Sequence, residues 1–184
     1  NRITNVFYQK KIKIPDSVKV VDLQGKYMMP GLIDAHIHFF QSGGLYTRPD
    51  ALNLSKFHAY EKDQQWITEN LDDLMRRYLA CGITSVIDVG GPLRNYQIRT
   101  NCNNNELSPN AYVTGPLIST YQPPNLDKGD PPIIKVDNEE AARELVRKQL
   151  PYQPDFIKIW YIVLPGQSAE KTLPIIKATI DESH

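Results

Sequence analysis

Two histidines, His36 and His38, lie two positions apart in the segment MMPGLIDAHIHFF. Side chains at positions i and i+2 of an extended strand project to the same side, so the two imidazoles are expected to lie next to each other. A cation could bind between their ring nitrogens. Catalytic zinc usually has three protein ligands and an open position for water, so two histidines do not complete a site. The spacing alone leaves two interpretations open: a pair of metal ligands, or a pair at a strand end that hydrogen-bonds to backbone or solvent.

The neighbouring residues predict the strand that positions this pair. Leu32, Ile33, Ala35 and Ile37 supply its apolar, largely β-favouring content, and the dipeptide Pro30-Gly31 marks its start. We therefore expect both histidines at the C-terminal end of the first strand.

Beyond this strand, segments of strand character alternate with segments of helical character. The further strand candidates are ITSVIDVGG, AYVTGPLIS and DFIKIWYIV, and the helix candidates are ITENLDDLMRRYLACG, NEEAARELVRKQL and SAEKTLPIIKATIDESH. The second of these helices is predicted to be capped by Asp137 or Asn138. The polar stretch that ends at Asn110 is interpreted as irregular or helical. This order predicts an α/β fold with parallel strands joined by crossovers.

Two architectures fit that order, a doubly wound sheet and a (β/α)8 TIM barrel. The chain contains neither GxGxxG nor GxxxxGK[ST], so nothing supports a nucleotide-binding fold of the first type. A complete barrel takes about 250 residues, so we predict that residues 30–184 form a partial barrel of about the first four β/α units. Residues 1–29 contain short strand patterns with turns and predict part of a small β-sandwich domain.

Composition excludes several classes of partner. The chain of 184 residues has 21 basic and 21 acidic side chains, and this balance argues against a nucleic-acid surface. We expect no signal peptide within these residues, and no apolar run approaches the roughly 18 residues that span a bilayer. We favour a cytoplasmic location; a periplasmic or secreted one requires an N-terminal signal that has been removed.

Cys81 and Cys102 lack metal or redox spacing, and we predict a buried apolar role for Cys81 and a loop position for Cys102.

The segment MPGLIDAHIH resembles the first-strand signature of the amidohydrolase superfamily, PGxIDxHxH, and RITNV...VKVVDLQGKYMMPGLID resembles the small β domain that precedes it in many members. GITSVIDVGG and PDFIKIW most resemble the branch of imidazolonepropionase-like and prolidase-like dipeptidases. The resemblance implies a metal-dependent hydrolase in which metal-activated water cleaves amide, peptide or cyclic-amide C–N bonds. Its substrates are expected to be small molecules or peptides.

The resemblance also implies roles for individual residues. It makes His36 and His38 ligands of one or two divalent metal ions, with zinc favoured. Lys158 matches the fourth-strand lysine that is often carboxylated and bridges two metals; a lysine pointing to the barrel mouth and paired with an acid is the alternative. Further histidine ligands and the general-base aspartate are expected beyond residue 184.

Four other residues could also belong to the candidate site. We expect Asp34 to have a structural hydrogen-bonding role, and Asp88 either to line the barrel mouth or to stabilise a local turn. His58 is expected to be an exposed or loop-packing residue, and His184 a residue on the surface of the last helix.

A second hypothesis is that the chain is a catalytically inactive half barrel or scaffold. Half of a barrel exposes strand edges and part of an apolar core, so we expect it to form a homo-oligomer or to associate with another chain.

Overall fold

The computed structural model describes residues 2–8, 13–41, 43–44, 48–49 and 51–184. The chain divides into two units, Asn1–Pro30 and Gly31–His184. Residues 2–8 and 13–30 of the first unit contain turns but no strand, and their side chains are exposed. The short strands expected here are therefore not formed in this described part, because a strand needs a neighbour to pair its backbone N–H and C=O groups. The small β domain remains a prediction.

The second unit is an α/β structure with two parallel sheets, which confirms the predicted α/β class and the parallel strands. The partial (β/α)8 barrel stays a prediction. Its described strands are β1 (Leu32–Ile37), β2 (Ile83–Asp88), β3 (Asn110–Val113), β4 (Leu117–Ser119), β5 (Ile133–Lys135) and β6 (Ile159–Trp160). The strand orders are β1-β2-β3 in one sheet and β5-β4-β6 in the other. Every pairing within these sheets is parallel, as expected where helices connect successive strands.

The described helices of this unit are α1 (Tyr60–Glu69), α2 (Leu71–Ala80), α3 (Asn95–Asn103), α4 (Glu139–Gln149) and α5 (Ala169–Ser183). Short 3₁₀ turns lie at Pro124–Leu126 and Leu150–Tyr152. Asn138, one of the two predicted caps, accepts a hydrogen bond from the Ala141 backbone N–H at 2.9 Å. Among the described helices, none has the combination of length and apolar character that a bilayer crossing requires.

The first predicted helix is two helices that meet at Asn70. The side chain and the backbone N–H of Asn70 both donate to the Trp66 carbonyl, at 2.8 and 3.0 Å, and so close the last turn of α1. The cysteine predictions are both wrong. Cys81 is exposed at the end of α2, whereas Cys102 is buried because α3 turns it towards the sheet β1-β2-β3.

The strand predicted over AYVTGPLIS is interrupted, and this break separates the two sheets. Gly115 and Pro116 lie between β3 and β4. The buried Gln149 side chain accepts from the Gly115 N–H and donates to the Pro116 carbonyl, each at 3.1 Å. These bonds satisfy backbone groups that would otherwise belong to a continuous ladder.

Two of the three apolar clusters among the described residues pack several strands and helices together. One packs β1, β2 and β3 against α2 and α3 through Ile37, Val86, Val113, Met75 and Tyr96, together with other apolar residues. The other joins β4 to α4 and α5 through Ile118, Leu145, Val146 and Ile175, with further contributions from Val136 and Ala142. The first cluster thereby fixes β1, β2 and β3 against their helices, and the second fixes β4 against α4 and α5.

Candidate active site

The two histidines lie next to each other at the end of β1. Their ring centroids are 5.4 Å apart with an interplanar angle of 84°. β1 has one extra residue relative to β2 at this point, because Asp34 is paired with Val86 and Ile37 with Asp88. A bulge of this kind bends a strand and re-aims its side chains, and bulges are common beside active sites.

The orientation of His38 is set by the turn after β2. Its Nδ1 lies 2.8 Å from the Gly90 carbonyl oxygen. A carbonyl can only accept, so Nδ1 carries the hydrogen and Nε2 of the neutral ring keeps its lone pair. Burial lowers the pKa of His38 below 6.5; the hydrogen bond to Gly90 opposes this shift, and the charges of His36 and other basic residues add to it. A neutral imidazole with a free Nε2 is the form that binds a metal.

Asp88 stabilises the turn after β2, which contains Gly90. Its carboxylate is fully buried and accepts hydrogen bonds from the Gly90 N–H at 3.1 Å, the Phe39 N–H at 3.5 Å and the Asn95 amide. Burial raises the pKa of Asp88 to about 7, although these three hydrogen bonds act in the opposite direction. Because the Asp88 carboxylate is fully buried, it does not line the cavity. Of its two expected roles, lining the barrel mouth and stabilising a local turn, the second is observed.

Lys158 reaches the histidines from the other sheet. It directly precedes β6, and its carbonyl accepts from the Ile118 N–H of β4 at 3.0 Å. The strand expected over DFIKIWYIV is thus limited to Ile159–Trp160. The half-buried Lys158 side chain lines a cavity of about 330 Å³ together with His36, His38 and Arg48. All three predicted ligand positions therefore border one cavity.

The rest of this cavity, which we call the histidine cavity, is largely apolar. Its other described lining residues are Phe40, Gln41, Val89, Leu117, Leu126, Ile133 and Trp160. A neighbouring cavity of about 350 Å³ shares both histidines and extends towards α2, where Asp34 and Tyr78 line it. The Asp34 carboxylate accepts from the His36 N–H at 3.2 Å, the structural role expected for it.

The two remaining histidines lie elsewhere. His58 lines a groove beside α1 together with Trp66, and His184 is exposed directly after α5. Neither is among the described residues that line the histidine cavity.

The donor set fits part of a metal centre. No group of three or more His, Cys, Asp and Glu side chains within the described residues is arranged to hold a metal ion. Two adjacent imidazoles, one of them bonded through Nδ1 to Gly90 with its Nε2 free, suit a divalent metal such as zinc, and a carboxylated Lys158 would add an oxygen donor.

Nothing in the sequence indicated that Arg48 would line the histidine cavity. For Asp88 the sequence left two roles open, lining the barrel mouth and stabilising a turn. Arg48 lies in a long irregular segment without periodicity, so no local pattern indicated a position at the histidine cavity. The signal for Asp88 was the pair Gly90 and Gly91 that follows β2, which marks a turn where a buried acceptor can be needed.

Comparison with known proteins relates this chain to amidohydrolases. The sequence model of the Amidohydrolase family matches residues 19–68, which include β1 and both histidines. The crystal structure of an amidohydrolase superposes with a TM-score of 0.61 at 25% identity, over 94% of this chain and 45% of that chain. These two matches support membership of the amidohydrolase superfamily. No curated protein matches it.

Two further solved structures share the fold of this chain. A prolidase complexed with N-methylphosphonate-L-proline has a TM-score of 0.62 and 21% identity, over 94% of this chain and 44% of that chain. A protein described as a prolidase from Bifidobacterium longum has a TM-score of 0.54 and 23% identity, over 85% of this chain and 33% of that chain. The chain thus spans less than half the length of each of these three structures.

Proposed function

We propose that this chain carries part of the active site of a metal-dependent hydrolase that cleaves amide, peptide or cyclic-amide C–N bonds. The observation that carries the proposal is the meeting of His36, His38 and Lys158 at one cavity, although Lys158 comes from a different sheet. Membership of the amidohydrolase superfamily supports hydrolysis as the reaction class.

In this proposal His36 and His38 hold a divalent metal, with zinc favoured. Such an ion supplies Lewis-acid polarisation of the scissile carbonyl and lowers the pKa of water. The Gly90 carbonyl fixes the tautomer of the His38 ring so that Nε2 is free, burial favours the neutral ring, and Asp88 supports that turn. The apolar side chains of the histidine cavity exclude bulk water from the reacting carbonyl, which strengthens the electrostatic interactions there. No carboxylate is among the described lining residues, so the proposed general base lies outside them.

We further propose that Lys158 is carboxylated. Its neutral amine would attack carbon dioxide, forming an N–C bond and releasing a proton to leave a carbamate anion. Lys158 shares the cavity with Arg48 and two histidines, so a carbamate would place one negative charge among basic groups and reduce their mutual repulsion. Incubation with ¹³C-labelled bicarbonate should give a carbamate carbon signal in NMR spectra that Lys158→Met removes and Lys135→Met keeps. A signal that survives Lys158→Met would contradict carboxylation at this position.

The proposed substrates are small amides or short peptides, with dipeptides favoured because two of the structural neighbours are described as prolidases. A cavity of about 330 Å³ is at the small end of ligand sites and suits a ligand of this size.

Metal analysis of the full chain tests the ligand assignment. His36→Ala and His38→Ala should each reduce bound zinc measured by mass spectrometry after dialysis, because each removes one imidazole donor. His58→Ala is the matched control, since His58 lies in another groove, and it should keep the metal content of the wild type. The assignment is wrong if both cavity variants also keep it.

A second candidate function is association through the edge of β1. Among the described strands, β1 is paired only with β2, and Leu32 and Ile33 on it are 48% and 64% exposed. An unpaired, apolar strand edge favours pairing with another chain. Sedimentation velocity of the wild type and of Ile33→Lys tests this function: association predicts a dimer or larger species that the variant dissociates, and a monomeric wild type would contradict it.

A further inference from the structure

The Asp88 carboxylate holds two groups on which the orientation of His38 depends. Its Oδ2 accepts from the N–H of Phe39, the residue directly after His38, at 3.5 Å. Its Oδ1 accepts from the N–H of Gly90 at 3.1 Å, and the Gly90 carbonyl bonds the His38 ring. Asp88 Oδ1 lies 3.8 Å from His38 Nδ1, too far for a hydrogen bond. The influence of the carboxylate on His38 therefore passes through Phe39 and Gly90.

Asn95, the first residue of α3, restrains this carboxylate. Its Nδ2 donates to Asp88 Oδ2. Within the described part of the chain, no other side chain donates a hydrogen bond to Asp88. Asn95 and Asp88 are both fully buried, so bulk water does not compete for the bond.

The start of α3 is anchored independently of Asp88. The Asp130 carboxylate accepts from the N–H groups of Leu93 and Arg94, at 2.9 and 3.0 Å. The N–H of Asn95 itself donates to the Pro92 carbonyl at 3.0 Å. The backbone of Asn95 is thus a fixed point from which its amide can hold Asp88.

The turn after β2 leaves room for the amide. A Cβ on Gly91 would collide with Asn95 Nδ2 and would lie 3.2 Å from Cδ1 of Phe40. The absence of a side chain at Gly91 therefore allows Asn95 to reach the carboxylate.

Stability alone does not account for an amide at this position. Asn95 Oδ1 is buried and has no hydrogen-bond partner within the described residues. A buried polar atom without a partner destabilises the folded state, which offsets part of what the bond from Nδ2 contributes. A role in holding Asp88 gives a reason for the amide that stability does not.

We propose that Asn95 is a positioning residue of the proposed metal site: it holds Asp88, and Asp88 in turn holds the Gly90 carbonyl that orients the His38 ring. The inference deepens the proposed function and rests on it, because His38 matters there as a metal ligand. The orientation of the ring, however, is a property of the metal-free protein and is measured without metal.

Hydrogen exchange followed by NMR in the metal-free full chain measures this orientation. The Nδ1–H proton of His38 should exchange slowly with water in the wild type, because it is bonded to Gly90. Asn95→Ala should speed this exchange by at least about tenfold relative to the amide proton of Val86 in β2, which reports loosening of the whole fold. Asn101→Ala is the matched control, since Asn101 is an exposed asparagine of α3 bonded to Gln97, and it should behave as the wild type.

Zinc affinity, measured by competition with a fluorescent chelator, tests the route through Asp88. Asn95→Ala should weaken zinc binding by about threefold to tenfold, less than the loss of a direct partner of a ligating histidine. The same substitution made in the Asp88→Ala protein should change the affinity by less than about twofold, because Asn95 then has no carboxylate to hold. Equal effects of Asn95→Ala in the two backgrounds would overturn the inference.

Failure of this inference differs from failure of the proposed function. If His38 and Val86 protons respond equally to Asn95→Ala, the positioning role is wrong even if the protein binds zinc and hydrolyses amides. If the wild type binds no zinc, the ligand assignment is wrong, and a selective loss of protection at His38 in Asn95→Ala would still support the positioning role.

Discussion

The Nδ1 atom of His38, at the end of β1, lies 2.8 Å from the carbonyl oxygen of Gly90, in the turn after β2. Gly90 has a φ of 132°, and a Cβ on it would lie 2.4 Å from Leu117 Cδ1. Only glycine satisfies both the backbone conformation and the packing here. The orientation of His38, a proposed metal ligand, therefore depends on Gly90 in the turn after β2.

Gly90→Ala should move this carbonyl and weaken zinc binding by about tenfold to a hundredfold, the usual effect of losing a hydrogen-bond partner of a ligating histidine. Competition with a fluorescent zinc chelator measures the affinity. Gly82→Ala is the control, because Gly82 also has a positive φ, 78°, but open space around it. It should lower stability by about 1 kcal/mol through backbone strain and leave zinc affinity unchanged. Unaltered affinity in Gly90→Ala would show that the carbonyl does not position His38.

The pKa of Asp88 makes the stability of the metal-free protein depend on pH. Unfolding returns the carboxyl from a pKa of about 7 towards 3.8, so between these values the folded state binds more protons. Its contribution to stability is thus complete below pH 4 and is lost as the pH rises through 7, by about 3 kcal/mol between pH 4.5 and 8. The lowered pKa of His38 acts in the opposite direction, so the comparison is made against a variant.

Urea unfolding of the wild type and of Asp88→Asn at several pH values isolates this contribution. The stability advantage of the wild type over the variant should be largest near pH 4.5 and should shrink towards pH 8. A difference that stays constant across this range would mean that Asp88 titrates at its ordinary value in the folded state.

Gln149 is expected to be the costliest polar side chain to replace at the break between β3 and β4. It is fully buried and bonds the Gly115 N–H, the Pro116 carbonyl and the Tyr96 hydroxyl. Gln149→Met keeps the volume but leaves these groups without partners, so we expect a loss of about 3 kcal/mol in the free energy of unfolding. Gln97→Met removes only an exposed bond to Asn101 and should change stability by less than about 0.5 kcal/mol. Equal effects of the two substitutions in chemical denaturation would contradict this account.

The cap of α4 can be tested by comparing two adjacent residues. Asn138→Ala removes the side-chain acceptor for the Ala141 N–H and should lower the free energy of unfolding by about 1 kcal/mol. Asp137→Ala removes only a surface pair with Lys135 and should cost less than about 0.5 kcal/mol. Thermal unfolding of both variants measures the difference, and a larger effect of Asp137→Ala would reverse the assignment of the cap.

Much of the secondary structure could be predicted because the signals are local. β1, β2, α4 and α5 follow from apolar periodicity, and the cap of α4 was one of two candidates. β5 was missed and β6 was predicted too long, because both depend on pairing with β4. Such short segments have little pattern of their own, and pairing with a neighbour decides where they begin and end. The burial of Cys81 and Cys102 was predicted wrongly for a similar reason. Burial of a helical residue depends on which face of the helix meets the sheet.

The sequence by itself predicted that His36 and His38 would lie side by side, because side chains two positions apart on a strand project to one face. The signature around the two histidines also predicted the amidohydrolase superfamily. Only the tertiary structure decided that Lys158 and Arg48 reach the same cavity and that Asp88 is buried beneath it. Those contacts join residues far apart in the chain, and they depend on strand order and on a break between two sheets, neither of which has a local signal.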